Sequence, residues 1–476
     1  MLEEMPVLAS LIRHVQKSKL PLHVPGHKQG RILPAELGQW LGPAAKLDLT
    51  ELPGLDNLQQ PEGCIAQSQA LAASHYGSDY CLYSVNGSSA AVMAAITAVS
   101  GPGHKVLFLN PFHQSAWRGL VFSGALPVFS SVGFNEVNLC FDPPGVQHVE
   151  AALKRNPDVR AVYLTSPTYT GQVAEVKSIA NAVHEFGIPL VVDEAHGPHF
   201  GLAPGLPVHS VQAGADVVVH SVHKMLPGLT QAAWVHGQGP RVTRAALSES
   251  LKMLQTTSPS YLLMASLDAA QAWLRTFGAQ FARSALQSLS GLDWGKPCAA
   301  SPVTDPLRHF IPTGDLDASR KLQSLFETRG VYVEYADFMG VLSIFGLAAR
   351  DRDVALYRSI LCDWLSDNAQ TGAMPKRSLS EEAKQVLNLA QRAQEPTLEV
   401  SPRDAYFAPQ TKVPVEVCEG RVCAQTITPY PPGVPLLWPG QRIDSEAVRG
   451  LKILQTGRYE VHGIEADGTI PVLVGH

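Results

Sequence analysis

Short apolar segments alternate with segments of helical apolar spacing between about residues 75 and 240. We predict strands at 106–109, 161–164, 190–192, 217–219 and 234–235. Between two of them, Val176, Ile179, Ala180 and Val183 recur at the spacing of one helix face. This alternation predicts an α/β fold with a mostly parallel central sheet that helices cover on both faces. Functional side chains on such sheets gather at the carboxyl ends of the strands.

A smaller α/β pattern follows the first. Strands are predicted at 307–312, 331–335 and 341–345, and helices at 318–328 and 354–365. The polar stretch at 366–375 is typical of a linker, and 381–393 is predicted to be helical. Because 476 residues exceed one ordinary core, we expect four parts: an N-terminal arm at 1–30, a large domain at 31–290, a small α/β domain at 291–370 and a compact C-terminal α+β domain at 371–476.

Charge and composition argue against several classes of function. The net charge of −5 gives no electrostatic case for a nucleic-acid partner or an anionic membrane. The N-terminal sequence predicts a short amphipathic helix with Glu3 and Glu4, not a secretory signal. The longest apolar run, near 90–99, is too short to span a bilayer. We therefore expect a cytoplasmic protein.

The seven cysteines are scattered, which argues against a disulfide framework. Cys418 and Cys423 form a CxxxxC pair, but no second pair or clustered histidines lie nearby, so no metal site is expected. Two buried structural cysteines are the favoured interpretation, and a redox-sensitive pair is the alternative.

Two titratable residues follow successive predicted strands. Asp193 ends the apolar run at 188–192, and Lys224 follows the strand at 217–219 within Ser-Val-His-Lys. Taken alone, such an Asp caps a turn and such a Lys is a solvated surface charge. Together they suit pyridoxal 5'-phosphate (PLP), which needs an amine of lowered pKa to form an imine and a carboxylate that keeps its pyridine nitrogen protonated.

The phosphate of PLP also needs an anion site. Gly87, Ser88 and Ser89 stand at the start of an apolar helix predicted to run to Val99. Gly87 permits close backbone approach, and the serines offer hydroxyl and amide donors at the positive end of the helix. Ser221 is placed to reach the same phosphate. The alternative is an ordinary Ser-capped helix.

Two further residues suit the pyridine ring. Ala195 is small enough to lie under it. His113 follows another predicted strand and is placed to stack on the outer face of the ring. The alternative for His113 is an ordinary core or surface histidine.

At these residues the sequence resembles the ornithine/lysine/arginine decarboxylases of the aspartate-aminotransferase fold. Eight segments across nearly the whole chain carry the resemblance: Pro-Gly-His-Lys-Gln-Gly at 25–30, Asp-Leu-Thr-Glu-Leu-Pro-Gly-Leu-Asp at 48–56, Val-Asn-Gly-Ser-Ser-Ala at 85–90, Asp-Glu-Ala-His-Gly at 193–197, Ser-Val-His-Lys at 221–224, Leu-Gln-Thr-Thr-Ser-Pro-Ser-Tyr at 254–261, Ser-Pro-Arg-Asp at 401–404 and Pro-Tyr-Pro-Pro-Gly-Val-Pro at 429–435. The resemblance implies PLP fold type I, with 31–290 as the PLP-binding domain. It also implies decarboxylation of a basic amino acid in polyamine-type metabolism, with arginine or lysine favoured over ornithine.

The resemblance implies roles for individual catalytic residues. Lys224 forms the Schiff base with PLP, and His223 lies beside it. Asp193 pairs with the ring nitrogen, with His196 close by. His113 stacks on the ring.

The resemblance also implies which residues bind the phosphate of PLP. Ser88, Ser89 and Ser221 bind it within one subunit. Thr256 or Thr257 reaches the phosphate of the neighbouring subunit, so a homodimer or higher homo-oligomer with shared active sites is implied.

The sequence departs from the family pattern at three places. Asn110-Pro111-Phe112 precede His113 where Arg-Asn is usual, and Asp404 and Gln441 each stand where the family carries Glu. The chain resembles the short form of the family, without the response-regulator-like N-terminal domain of the large acid-stress members, so their ring assembly is not implied. Two alternatives fit the same cofactor residues: another fold-type-I activity, such as an aminotransferase or aldolase, and a PLP-binding protein without catalysis.

A basic substrate carries a distal cation, and a desolvated cation needs a carboxylate partner. Glu51 and Asp56 lie in an acidic segment that resembles a family segment near the active site, and Asp404 is a further candidate. The alternative is that these carboxylates only cap turns or hold the N-terminal arm.

Overall fold

A seven-stranded sheet forms the centre of the computed structural model, which describes residues 1–109, 111–292, 303–370, 379–429, 434–456 and 460–475. Its strands are β1 (Tyr80–Ser84), β2 (Lys105–Leu109), β3 (Leu126–Ser130), β4 (Val159–Thr165), β5 (Leu190–Asp193), β6 (Val217–Ser221) and β7 (Ala233–Gly237). Their order across the sheet is β1-β7-β6-β5-β4-β2-β3. Strand β7 runs antiparallel to both of its neighbours, whereas the other neighbours pair in parallel. The predicted mostly parallel sheet is therefore confirmed.

Helices cover both faces of this sheet. Alternate residues of β2 enter two different cores, Val106 and Phe108 on one face and Leu107 and Leu109 on the other, as the period of two of a strand requires. The α-helices are α1 (Pro6–Lys17), α2 (Ala35–Leu41), α3 (Cys64–Tyr76), α4 (Gly87–Val99), α5 (Gln114–Ser123), α6 (Val146–Arg155), α7 (Val176–Glu185), α8 (Val222–Met225), α9 (Arg244–Leu254), α10 (Tyr261–Trp273), α11 (Ala279–Leu289), α12 (Leu316–Thr328), α13 (Asp351–Gln370), α14 (Glu381–Arg392), α15 (Pro402–Phe407) and α16 (Ser445–Leu454).

A second sheet lies in the smaller α/β unit. Its antiparallel strands β8 (Arg308–Pro312), β9 (Tyr335–Ala336) and β10 (Gly340–Ile344) are ordered β8-β10-β9. Near the C-terminus, β11 (Gln410–Pro414) pairs with β12 (Thr469–Leu473). Two short pairs join Phe134–Asn135 to Cys140–Phe141 and Thr428–Pro429 to Val461–His462.

Two sequence predictions in this region are wrong. The strand predicted at 331–335 is paired with β10 only at Tyr335–Ala336, directly before the turn in which the Asp337 N–H donates to the Gly340 carbonyl. The linker predicted at 366–375 begins inside α13, which continues to Gln370, and 371–378 lie outside the described residues. The division of the chain into four domains stays a prediction.

No described helix is both long and apolar enough to cross a membrane. In the same residues, no group of three or more His, Cys, Asp and Glu side chains is arranged to hold a metal ion. Cys418 and Cys423 are buried, and their thiols donate to the backbone carbonyls of Val415 and Gln425 at 3.1 and 3.0 Å.

Candidate active site

The predicted functional residues meet at the carboxyl ends of neighbouring parallel strands. Asp193 is the last residue of β5, and Ser221 is the last residue of β6, directly before the short helix α8 that carries Lys224. Parallel strands end at the same edge of a sheet, so their terminal side chains converge there.

A cavity of about 360 Å³ opens at this edge. Nine of the predicted residues line it: Gly87, Ser88, Ser89, His113, Asp193, Ala195, His196, His223 and Lys224. Ser221 lies behind this wall, where its hydroxyl donates to Ser88 Oγ at 2.5 Å.

The side chain of Lys224 is exposed to the cavity, and surrounding protein atoms partly desolvate its amine. Its Nζ lies 2.9 Å from His196 Nε2. On the other side of the imidazole, the Arg308 guanidinium contacts His196 Nδ1. A guanidinium only donates hydrogen bonds, so Nδ1 accepts and the imidazole proton sits on Nε2. The Nε2–H group of His196 then faces Lys224 Nζ. Burial lowers the pKa of Lys224, while the charge of Asp193 opposes the shift.

Asp193 is buried beneath the cavity. Its carboxylate accepts hydrogen bonds from the Tyr163 hydroxyl at 3.0 Å and the Ala195 backbone N–H at 3.1 Å. Burial raises the pKa of Asp193, and the nearby charge of Lys224 works against this rise. A buried carboxylate of this kind favours a cationic partner.

The start of α4 forms an open cradle beside these residues. Gly87 has φ +77°, and a side chain added there would meet nothing within 4 Å. The helix continues for thirteen residues, so its free N–H groups and positive end face the cavity at Ser88 and Ser89. The arrangement suits an anion.

His113 and His223 both line the cavity. His113 caps α5, since its Nδ1 accepts from the Ser115 N–H at 3.2 Å. Burial, followed by the charge of Lys224, lowers the pKa of His113 to about 4, so the ring is neutral. His223 Nδ1 donates to the Ala232 carbonyl at 3.3 Å.

Thr256 and Thr257 do not line this cavity. The Thr256 N–H lies 3.5 Å from Asn86 Oδ1, and Asn86 is a cavity residue of the same chain. The proposed reach of these threonines into a neighbouring subunit stays a prediction.

The three proposed substrate carboxylates lie outside the cavity. Asp56, at φ +68°, accepts from five backbone N–H groups between residues 57 and 66, and Glu51 accepts from the Thr50 hydroxyl at 2.5 Å. Ser401 caps the start of α15, because its Oγ accepts from the Asp404 N–H at 3.2 Å and donates to the Asp404 carboxylate at 2.6 Å. These contacts favour the turn-capping alternative, although the substrate role itself stays untested.

Two departures from the family pattern have local structural explanations. Gln441 is buried, and its Oε1 accepts from the Trp438 N–H at 3.1 Å. Pro111 and Phe112 line the cavity, whereas Asn110 lies outside the described residues.

Sequence reasoning missed Tyr163, Tyr169 and Arg308. Arg308 also donates to the Tyr169 carbonyl at 2.6 Å and pairs with Asp305 at 3.3 Å. Tyr163 offered a signal, because it is polar within a strand that neighbours the strand of Asp193. Arg308 offered none, because its contact with His196 spans 112 residues of sequence.

The chain is similar to known proteins along most of its length. Residues 5–291 match the model of the Orn/Lys/Arg decarboxylase major domain, and 384–469 match that of the C-terminal domain. The chain is 34% identical to the arginine decarboxylase of Bacillus subtilis, over 94% of this chain and 92% of the relative. It is 33% identical to that of Halalkalibacterium halodurans, over 98% and 96%.

The fold is similar to a solved structure as well. The Escherichia coli constitutive lysine decarboxylase superposes with a TM-score of 0.79 at 21% identity, over 98% of this chain and 82% of that chain. The predicted aspartate-aminotransferase-like fold is thereby confirmed. The chain belongs to the Orn/Lys/Arg decarboxylase family.

Proposed function

We propose that this protein decarboxylates arginine to the corresponding amine and CO2 with PLP as its cofactor. The observation that supports the reaction is the similarity to arginine decarboxylases along nearly the full chain. The cavity at Lys224 supports the cofactor.

The residues of the cavity fit PLP in three respects. The open start of α4 at Gly87 offers donors to a phosphate. The buried carboxylate of Asp193 suits a protonated pyridine nitrogen. Lys224 supplies an amine whose pKa is lowered by burial. When bound, PLP supplies the electron sink that accepts the electron pair left by the departing carboxyl group.

Each residue then has a definable task. Ser88, Ser89 and Ser221 would hold the phosphate, and Asp193 would keep the ring nitrogen protonated. The neutral imidazole of His113 would contact the pyridine ring without adding a positive charge.

The amine of Lys224 has a hydrogen-bond partner in the cavity wall. His196 Nε2 and Lys224 Nζ lie 2.9 Å apart. The contact of Arg308 with Nδ1 leaves the proton of His196 on the side of Lys224. His196 would therefore orient the amine of Lys224.

Turnover assays test the proposal. The purified protein with added PLP should release CO2 and form the amine from arginine, with a higher kcat/KM than for lysine or ornithine. Transfer of the amino group to a keto acid without CO2 release would show that the protein is an aminotransferase and not a decarboxylase. Bound PLP without turnover of any basic amino acid would indicate a PLP-binding protein without catalytic activity.

A further inference from the structure

A second cavity, of about 370 Å³, adjoins the cavity at Lys224. Four residues line both of them: Pro111, Thr168, Tyr169 and Val434. A molecule attached at Lys224 can therefore extend past Tyr169 into the second space. We name this space the Asp337 cavity.

Asp337 supplies a carboxylate oxygen that has no hydrogen-bond partner among the described residues. The residue is only 7% exposed. Its Oδ1 accepts from the Met339 and Gly340 N–H groups at 2.8 and 2.9 Å, but Oδ2 is buried with no hydrogen bond. A buried acceptor left without a donor is costly, so the oxygen suits a donor brought by a ligand.

The surroundings of Asp337 are acidic. Among the described residues that line this cavity, Glu334, Asp337 and Glu460 carry carboxylates, and Arg320 carries the single guanidinium. Glu334 Oε1 accepts from the Tyr169 hydroxyl at 2.8 Å, at the boundary between the two cavities. Burial raises the pKa of Asp337 to about 6, which leaves it ionised at neutral pH.

Glu334 links the two cavities electrostatically. Its charge acts to raise the pKa values of both Lys224 and Arg308 against the effect of burial. A cation that enters from Lys224 therefore moves towards a region of negative charge.

On the basis of the proposed function, we propose that the Asp337 cavity binds the distal cation of the substrate. Asp337 is the buried partner of this cation, and Glu334 is a second carboxylate at the entrance. A guanidinium has five N–H donors in a planar fork, so it can engage carboxylates on more than one side. This assigns substrate recognition to the turn between β9 and β10.

Arginine and citrulline provide a matched pair of substrates, because citrulline replaces the guanidinium by an uncharged urea group. In Asp337→Asn, kcat/KM for arginine should fall roughly tenfold to a thousandfold, since a buried cation loses its charged partner. The low kcat/KM for citrulline should stay within about twofold, which a general structural defect would not allow. Equal losses for both substrates, or no loss for either, would overturn the inference.

Asn can preserve the local fold, because its side-chain oxygen can still accept from Met339 and Gly340. Asp353→Asn is the matched control, since it makes the same change on the surface of α13, at an ion pair with Arg350. The control should keep wild-type kinetics. PLP content should match the wild type in both variants.

Binding of n-butylguanidine to the holoenzyme separates this inference from the proposed function. Calorimetry needs no turnover, and we expect Asp337→Asn to weaken binding by roughly tenfold or more. If wild type decarboxylates no basic amino acid but binds the probe in an Asp337-dependent way, the cavity assignment stands and the proposed function fails. Equal affinities in wild type and variant would overturn the cavity assignment, whatever the turnover.

Discussion

Lys224 is the residue that the proposed reaction requires most directly. Borohydride reduction of the PLP-loaded protein should fix the cofactor on Lys224, and peptide mapping locates the label. Lys224→Ala should abolish turnover at every substrate concentration, because its Nζ is the proposed covalent attachment point at the centre of the cavity. A label on another lysine would remove Lys224 from this role.

Asp193 and its hydrogen bonds can be tested by an isosteric change. Asp193→Asn should retain PLP but lose roughly a hundredfold or more in kcat, because an amide cannot stabilise a pyridinium charge. The amide oxygen can still accept from Tyr163 or Ala195, so the fold should persist. Absorbance of bound PLP and steady-state kinetics measure the two effects. Near-normal kcat would contradict the assignment.

Arg308 is expected to act through Lys224, since its charge contributes to the lowered pKa of that amine. Arg308→Met should raise the pKa of Lys224. Because only the neutral amine forms an imine, the midpoint of PLP reconstitution should move to higher pH. Arg329→Met removes a surface guanidinium paired with Asp363 and is the control. Identical pH midpoints for Arg308→Met and wild type would exclude this positioning role.

At the scale of secondary structure, the start of α4 allows a matched test of the anion cradle. Gly87→Ala forces an L-residue to φ +77° and puts a methyl group into open space at the cavity. We expect weaker PLP binding, by roughly tenfold, and a lower stability by about 1–2 kcal/mol. Titration with PLP and denaturant unfolding measure the two effects.

Gly77→Ala supplies the control for that change. Gly77 ends α3 at φ +74°, also with nothing within 4 Å, but it does not line the cavity. It should show the same loss of stability with unchanged PLP affinity. Equal PLP affinities in Gly87→Ala and Gly77→Ala would remove the start of α4 from phosphate binding.

The elements show what local sequence could and could not predict. The buried strands were predictable because continuous apolar runs such as that of β5 suit a sheet covered on both faces. The end of α13 was not, because its polar residues 366–370 extend a helix whose preceding turns pack on the core through Tyr357, Ile360 and Trp364. The Asp337 cavity could not be predicted from local sequence either, because the residues that form it are far apart in the chain.

At the scale of the whole molecule, the shared active site can be tested by mixing subunits. Lys224→Ala alone should be inactive and the double variant Thr256→Ala/Thr257→Ala alone should be weak, but mixed subunits should recover activity through hybrid dimers. The physical reason is that one intact site would combine Lys224 of one chain with the threonines of the other. Sedimentation checks the oligomeric state, and a fully active monomer would contradict sharing. Thr256 lies beside Asn86 of its own chain, so absence of recovery would favour a contribution within one subunit.

The contacts of Arg308 are one of the connections between the small sheet and the central sheet. Arg308 belongs to β8 of the small sheet, whereas His196 and Tyr169 follow strands of the central sheet. A movement that separated the two sheets would draw the guanidinium away from His196, which is the hydrogen-bond partner of Lys224. The absorbance of bound PLP depends on the protonation of the Lys224 nitrogen. Rapid-mixing absorbance measurements should therefore record a separation of the two sheets as it occurs.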